Sequence, residues 1–441
     1  MKYLHQCRKK LGGYVPGRTV NVKPISAPAE DLFEEFYKGS EGREVATTMV
    51  MVRLLSKLLK DKQIGKLIVP VVPDEARTFG MEVLFRQAGI YSPVGQLYEP
   101  VDKESLLYYN EQKDGAILEE GITEAGSMAS FMAAGTAYAT HGINTIPFFL
   151  FYSIFGCQRM YDLIWAAGDA MARGFLIGGI SGRTTLAGEG LQHQDGHSHH
   201  FFYSVPNLKA YDPAFAYELA VIVRDGLYRM YEKRENIFYY ITMMNEFYEM
   251  PPMPEGVKDQ ILRGMYKYKA SEQSAVRAKA NLLAGGAILN EAVKAQEILQ
   301  SKYDVAADVW SVTSYKELYT DGLETDRWNM LHPAETPKLS YVQQCFKNQN
   351  AIFVAASDYL KSLPCSIAKW LPGRMVALGT DGYGRSDSRA ALRDYFEVDA
   401  RFITLAALYA LAAEGKIKSD IPQKAIEDLD VDPEKVNPML V

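Results

Sequence analysis

Four of the chain's seven histidines fall within Gly188-Glu189-Gly190-Leu191-Gln192-His193-Gln194-Asp195-Gly196-His197-Ser198-His199-His200. Histidine titrates near neutrality, so one or two of these imidazoles suit general acid–base work or anion recognition. His193 and His197 stand four residues apart, the spacing that puts two metal ligands on one helix face, but three glycines disfavour a regular helix there. A purely hydrogen-bonded loop is the plain alternative. A second set, Asp74-Glu75-Ala76-Arg77, directly follows the apolar run 67–72. Ligands bind beyond the carboxyl ends of parallel strands, although the same residues also read as a salt-bridged loop with a capping Asp. A third is Glu119-Glu120-Gly121-Ile122-Thr123-Glu124, with Glu124 at the entrance of an apolar helix. The helix dipole alone favours a carboxylate there; partial burial would instead raise its pKa and let it share a proton with a heterocycle. A fourth, Gly379-Thr380-Asp381-Gly382-Tyr383-Gly384-Arg385-Ser386-Asp387-Ser388-Arg389, sets glycines before a helix start. It fits neither GxGxxG nor GxxxxGK[ST], and it reads either as a phosphate cradle or as a tight turn with Ser and Asp caps.

The elements that must position these groups follow from periodicity. Helical spacing covers 46–62, 122–141, 157–173 and 214–231, and strands are predicted at 67–72, 146–152, 174–180, 208–211 and 236–243. Beyond Met250-Pro251-Pro252-Met253-Pro254 a second alternating set begins. Its strands are predicted at 280–283, 305–312, 351–356 and 375–379, with helices at 288–301, 388–396 and 399–415. Strands separated by helical segments imply parallel sheets covered by helices. The expected organisation is an arm or linker over 1–45, then two successive parallel-sheet α/β domains at 46–260 and 261–441.

At 441 residues the chain has room for two or three domains with sizeable cores. Hydrophobic residues make up 48% and charged residues 23%, the composition of a globular protein. The formal charge of −6 gives no electrostatic footprint for nucleic acid or an anionic membrane. Four scattered cysteines with no CxxC fit a reducing, cytoplasmic compartment. The N-terminal segment lacks the apolar core of a secretory signal, and the longest apolar run, 146–155, is too short to span a bilayer.

Taken together, VPDEARTFGMEVLFRQAGIYSP, EEGITEAG, FYSIFGCQR, GRTTLAGEGLQHQDGHSHH, RWNMLHP and GTDGYGRSDSR resemble one family over nearly the whole chain. It is the single-chain, homodimeric pyruvate dehydrogenase, the thiamine-diphosphate-dependent first component of the pyruvate dehydrogenase complex. The resemblance implies a transketolase-like pyrimidine-binding domain followed by a transketolase C-terminal-like domain. It implies that Glu124 contacts the aminopyrimidine nitrogen of thiamine diphosphate, where proton sharing favours the imino tautomer that generates the nucleophilic ylide. Phe155 matches the aromatic that stacks on the aminopyrimidine. Tyr152 and His193 match groups around bound pyruvate, and Asp74 and Glu75 match acids lining the same site.

The family holds Mg²⁺ and the diphosphate through a Gly-Asp-Gly motif followed by Asn-Asn, and neither string occurs in this sequence. The expectation is that this chain carries no metal ligands and that another chain or segment supplies the diphosphate-binding domain. The implied partners are pyruvate, a lipoyl domain of the dihydrolipoamide acetyltransferase core, a second copy and the companion carrying that domain. A non-catalytic assembly or regulatory subunit with the same fold, a transketolase-like half enzyme and a metal enzyme built on the histidine loop are the alternatives.

Overall fold

Apolar runs become buried strands because a parallel strand flanked by helices has no wet face. The computed structural model describes residues 1–13, 22–73, 76–99, 109–272 and 278–441. Six parallel strands form the first sheet: β1 (Ile68–Val72), β2 (Leu118–Glu119), β3 (Ile146–Tyr152), β4 (Phe175–Gly179), β5 (Leu208–Tyr211) and β6 (Phe238–Thr242), in the order β2-β1-β3-β4-β6-β5. All seven residues of β3 are buried, and Phe148 stacks on Phe175 of the neighbouring strand with ring centroids 4.5 Å apart.

The second sheet holds β7 (Met265–Lys269), β8 (Lys279–Ala284), β9 (Ala306–Val312), β10 (Ile352–Ala356) and β11 (Met375–Leu378), in the order β7-β9-β8-β10-β11. Four of its strands run parallel, but β7 pairs antiparallel with β9, so this sheet is mixed where a parallel one was expected. The cause is the short entry: the helix Lys258–Arg263 ends at Gly264, whose positive φ reverses the chain straight into an edge strand. A 17-residue helix, Tyr315–Leu331, is a second element that periodicity did not predict, because its buried side is only Tyr315, Lys316, Leu318 and Gly322.

Residues 1–45, read as an arm, contain more structure than their sequence signalled. Lys2–Lys10 is a helix with no buried residue, whereas Phe33 and Phe36 are buried and Glu44–Val45 pairs with Tyr248–Glu249. Two aromatics in an otherwise polar, Pro-rich stretch tie its end to the first sheet's helical layer.

The two sheets meet through a polar seam. Lys316 Nζ donates to the carbonyls of Phe202, Val205 and Leu208 at 2.6–2.7 Å. Ser314 Oγ donates to the Ala210 carbonyl, and Lys209 pairs with Glu317 at 2.6 Å. Asp212, just past β5, accepts from Thr242 Oγ1 at 2.6 Å and from Tyr359 OH at 3.1 Å. Burial pushes the Asp212 carboxyl up to about 7, beside Asp358 and Glu218, which add to the rise.

Candidate active site

The chemistry-bearing residues sit where the strands of the first sheet end. Tyr152 is the last residue of β3, and the chain passes without a loop into the helix Ser153–Asp169. Phe155 therefore lies in that helix's first turn, the helix starting at Ser153, four residues earlier than the predicted 157. Glu124 opens the helix Glu124–Thr140, whose N-cap Thr123 accepts from the Gly126 N–H. His193 ends a short turn, Leu191–His193, in the loop that follows β4.

These residues, separate in sequence, converge. The Tyr152 ring is 5.8 Å from Phe155 and 4.9 Å from His193, and Phe155 is 5.2 Å from His193, all edge-on. Phe79 completes the wall 5.3 Å from Tyr152. Gly179, at the end of β4, is required for this wall, because a Cβ there would collide with the Phe79 ring. Ile180 follows with φ +43°, a left-handed conformation that costs a β-branched residue strain and turns the chain out of the sheet into the histidine loop.

Arg159 is the site residue that sequence reasoning missed. Its guanidinium pairs with the Glu124 carboxylate and lies 4.5 Å from the Phe155 ring centroid. The Glu124 side chain is 11% exposed and that of Arg159 52%. The signal was the i,i+4 spacing from Phe155, which puts both on one helix face. The cluster thus offers a carboxylate, a cation over an aromatic face, a phenol and an imidazole whose Nδ1 is buried without a protein partner among the described residues.

The other loop histidines go elsewhere. His197 contacts Gln158 at 3.0 Å, His199 reaches Thr242 at 3.2 Å, and His200 reaches Ser362 at 2.6 Å in the second sheet's layer. Burial lowers the pKa of all three, that of His199 to about 4, so they favour neutral rings. Among the described residues no group of three or more His, Cys, Asp or Glu could hold a metal ion. Asp74 and Glu75 lie outside the described residues. In the fourth segment Ser388 Oγ caps a seven-residue helix, Arg389–Tyr395, and the preceding loop packs on the histidine loop.

A six-stranded parallel sheet with this cluster at its carboxyl edge, joined to a mixed five-stranded sheet, defines a transketolase-like α/β protein. The structure superposes on transketolase from Campylobacter jejuni with a TM-score of 0.59 at 18% identity, covering 90% of this chain and 50% of that one. Residues 26–251 match the family model described as the pyruvate dehydrogenase E1 component middle domain, and residues 264–399 match the transketolase-like C-terminal domain. The chain belongs to the pyruvate dehydrogenase E1 component middle domain family. It is 51% identical to the pyruvate dehydrogenase E1 component of Pseudomonas aeruginosa over 99% of this chain and 50% of that protein. It is 50% identical to that of Escherichia coli K12 over 99% of this chain and 49% of that protein. The chain spans about half the length of the curated relatives it matches. No helix among the described residues is long and apolar enough to cross a membrane.

Proposed function

We propose that this chain supplies the pyrimidine-binding half of a thiamine-diphosphate-dependent pyruvate dehydrogenase active site, in a cytoplasmic enzyme that oxidatively decarboxylates pyruvate. The carrying observation is the convergence of Glu124, Phe155, Tyr152 and His193 from three separate segments at one sheet edge. The site fits one end of the cofactor. A flat aminopyrimidine needs an aromatic face and a carboxylate beside it, which Phe155 and Glu124 offer. The other end needs a divalent cation held by oxygen ligands, and no such cluster exists among the described residues. Mg²⁺ and the diphosphate are therefore assigned to a companion chain or segment.

Thiamine diphosphate, when bound, supplies the carbanion chemistry that 2-oxo acid decarboxylation requires. This chain's residues do the positioning and proton handling. Glu124 would share a hydrogen bond with the heterocycle's ring nitrogen, with Arg159 orienting the carboxylate. Phe155 fixes the ring plane. Tyr152 and His193 would orient the bound pyruvate, and the motif resemblance gives Asp74 and Glu75 a part in the same site. The acetyl group then passes to a lipoyl domain of the acetyltransferase core, and a second copy pairs with this chain as the dimer partner. We place the domain boundary at 260/261, with 1–45 as the connecting arm.

The test is complementation. The chain is mixed with the N-terminal half of the Pseudomonas aeruginosa relative, thiamine diphosphate and Mg²⁺, and pyruvate-dependent ferricyanide reduction is followed. Activity that disappears in Glu124→Ala supports the reading, and activity unchanged in that variant removes Glu124 from the site. The lack of Gly-Asp-Gly and Asn-Asn strings in this sequence favours a second reading, an assembly subunit without chemistry, which predicts no activity in any such mixture.

A further inference from the structure

His193 reaches the aromatic cluster from a loop with little regular structure of its own, yet three hydrogen bonds pin that loop to the far side of the molecule. The Gly188 N–H donates to the Asp387 carbonyl at 3.1 Å, and the Leu360 N–H donates to the Gly196 carbonyl at 2.8 Å. Between these anchors, Gln194 Oε1 accepts the Arg385 backbone N–H at 2.7 Å. Gln194 is 1% exposed and is the residue next to His193. The Arg385 N–H can only donate, which fixes the orientation of the Gln194 amide. The fit is close on the opposite side as well. A Cβ added at Gly384 would stand 2.8 Å from Gln194 Cβ and 3.1 Å from the Leu191 carbonyl oxygen.

We infer that Gln194 is a positioning residue, through which the 379–389 loop sets the place of the His193 imidazole against Tyr152 and Phe155. This inference rests on the proposed role of His193 for its kinetic consequence but not for its structural one. An acceptor at position 194 is the required chemistry: without it the partly buried Arg385 N–H is left unpaired and the loop relaxes. A misplacement of about 1 Å at a reacting group costs roughly 100-fold in rate. The bland alternative, in which Gln194 only fills space, makes no distinction between an acceptor and an isostere.

The experiment labels histidine ring carbons in the chain alone and follows the His193 resonance, identified by its loss in His193→Ala. In the native chain the rings of Tyr152 and Phe155, 4.9 and 5.2 Å away, should displace it. Gln194→Leu should move it toward the resonance of the exposed His5. Gln194→Glu, which keeps the acceptor, should leave it in place, and Gly384→Ala should move it from the opposite side. In the complemented enzyme, Gln194→Leu should lower turnover about 10- to 100-fold and add nothing in a His193→Ala background. An unmoved His193 signal in Gln194→Leu would overturn the inference, as would equal displacement by Leu and Glu. A moved signal with full turnover in His193→Ala would instead overturn the proposed role of His193 and leave the positioning intact.

Discussion

The carboxyl edge of the first sheet has two halves that were built for different ends. Past β5 and β6 it is closed: Asp212 accepts from Thr242 and Tyr359, and His199, from the loop after β4, reaches Thr242 against the second sheet's layer. Past β1, β2 and β3, with the first part of the loop after β4, it is open: Arg159, Ile122 and Leu191 are exposed around Glu124, Phe155 and His193. The same topology produces both halves, since every parallel strand delivers its end to this edge. What differs is the partner. Buried polar groups that find partners within the chain rigidify it, whereas groups that stay half exposed keep their hydrogen-bonding capacity for a ligand.

The largest break in this comparison is expected on the open side. Glu124→Ala should reduce pyruvate turnover of the complemented enzyme by at least about 1,000-fold with the fold intact, measured by steady-state rates beside a thermal melt. In the seam with the second sheet the expected signature is inverted. Lys316→Met strands three buried carbonyls and should cost about 3–5 kcal/mol of stability, read from denaturant unfolding, while the folded fraction keeps its rate constants. Phe155→Ala should weaken cofactor binding by about 10-fold, an aromatic stack being worth ~1 kcal/mol beyond its buried area, and a binding isotherm checks this.

A pH dependence is confined to the seam. Asp212 is pushed up to about 7 in the fold from an ordinary value near 4, so the folded state holds a proton that the unfolded chain releases. Its contribution to stability is therefore greatest below about pH 4 and is lost as pH rises to about 7. His199, lowered to about 4, works the other way below about pH 6.5. Asp212→Asn should remove the first dependence, so its stability relative to the native chain should rise between pH 5 and pH 8, by on the order of a few kcal/mol. Parallel curves for the two proteins over that range would show that Asp212 is ionised in the fold.

Legibility in the sequence followed the same division. The strands at 67–72, 146–152 and 351–356 were readable because burial on both faces leaves continuous apolar runs. Glu124, Tyr152, Phe155 and His193 were readable from motif resemblance, and their convergence required the fold. Arg159 escaped because an arginine on a helix surface is ordinary until a carboxylate from another helix reaches it. The edge strand Met265–Lys269 escaped because its pairing is antiparallel and its alternation is short. The long helix Tyr315–Leu331 escaped because it is held by Lys316 and by packing at few positions, not by a continuous apolar stripe.

The central claim, that the open half of the edge is one end of a cofactor site completed from elsewhere, has a direct test. Thiamine diphosphate is titrated calorimetrically into the chain alone, with and without Mg²⁺. At most weak binding that Mg²⁺ does not strengthen is expected if the residues here address only the aminopyrimidine. Tight, Mg²⁺-dependent binding by the chain alone would contradict it.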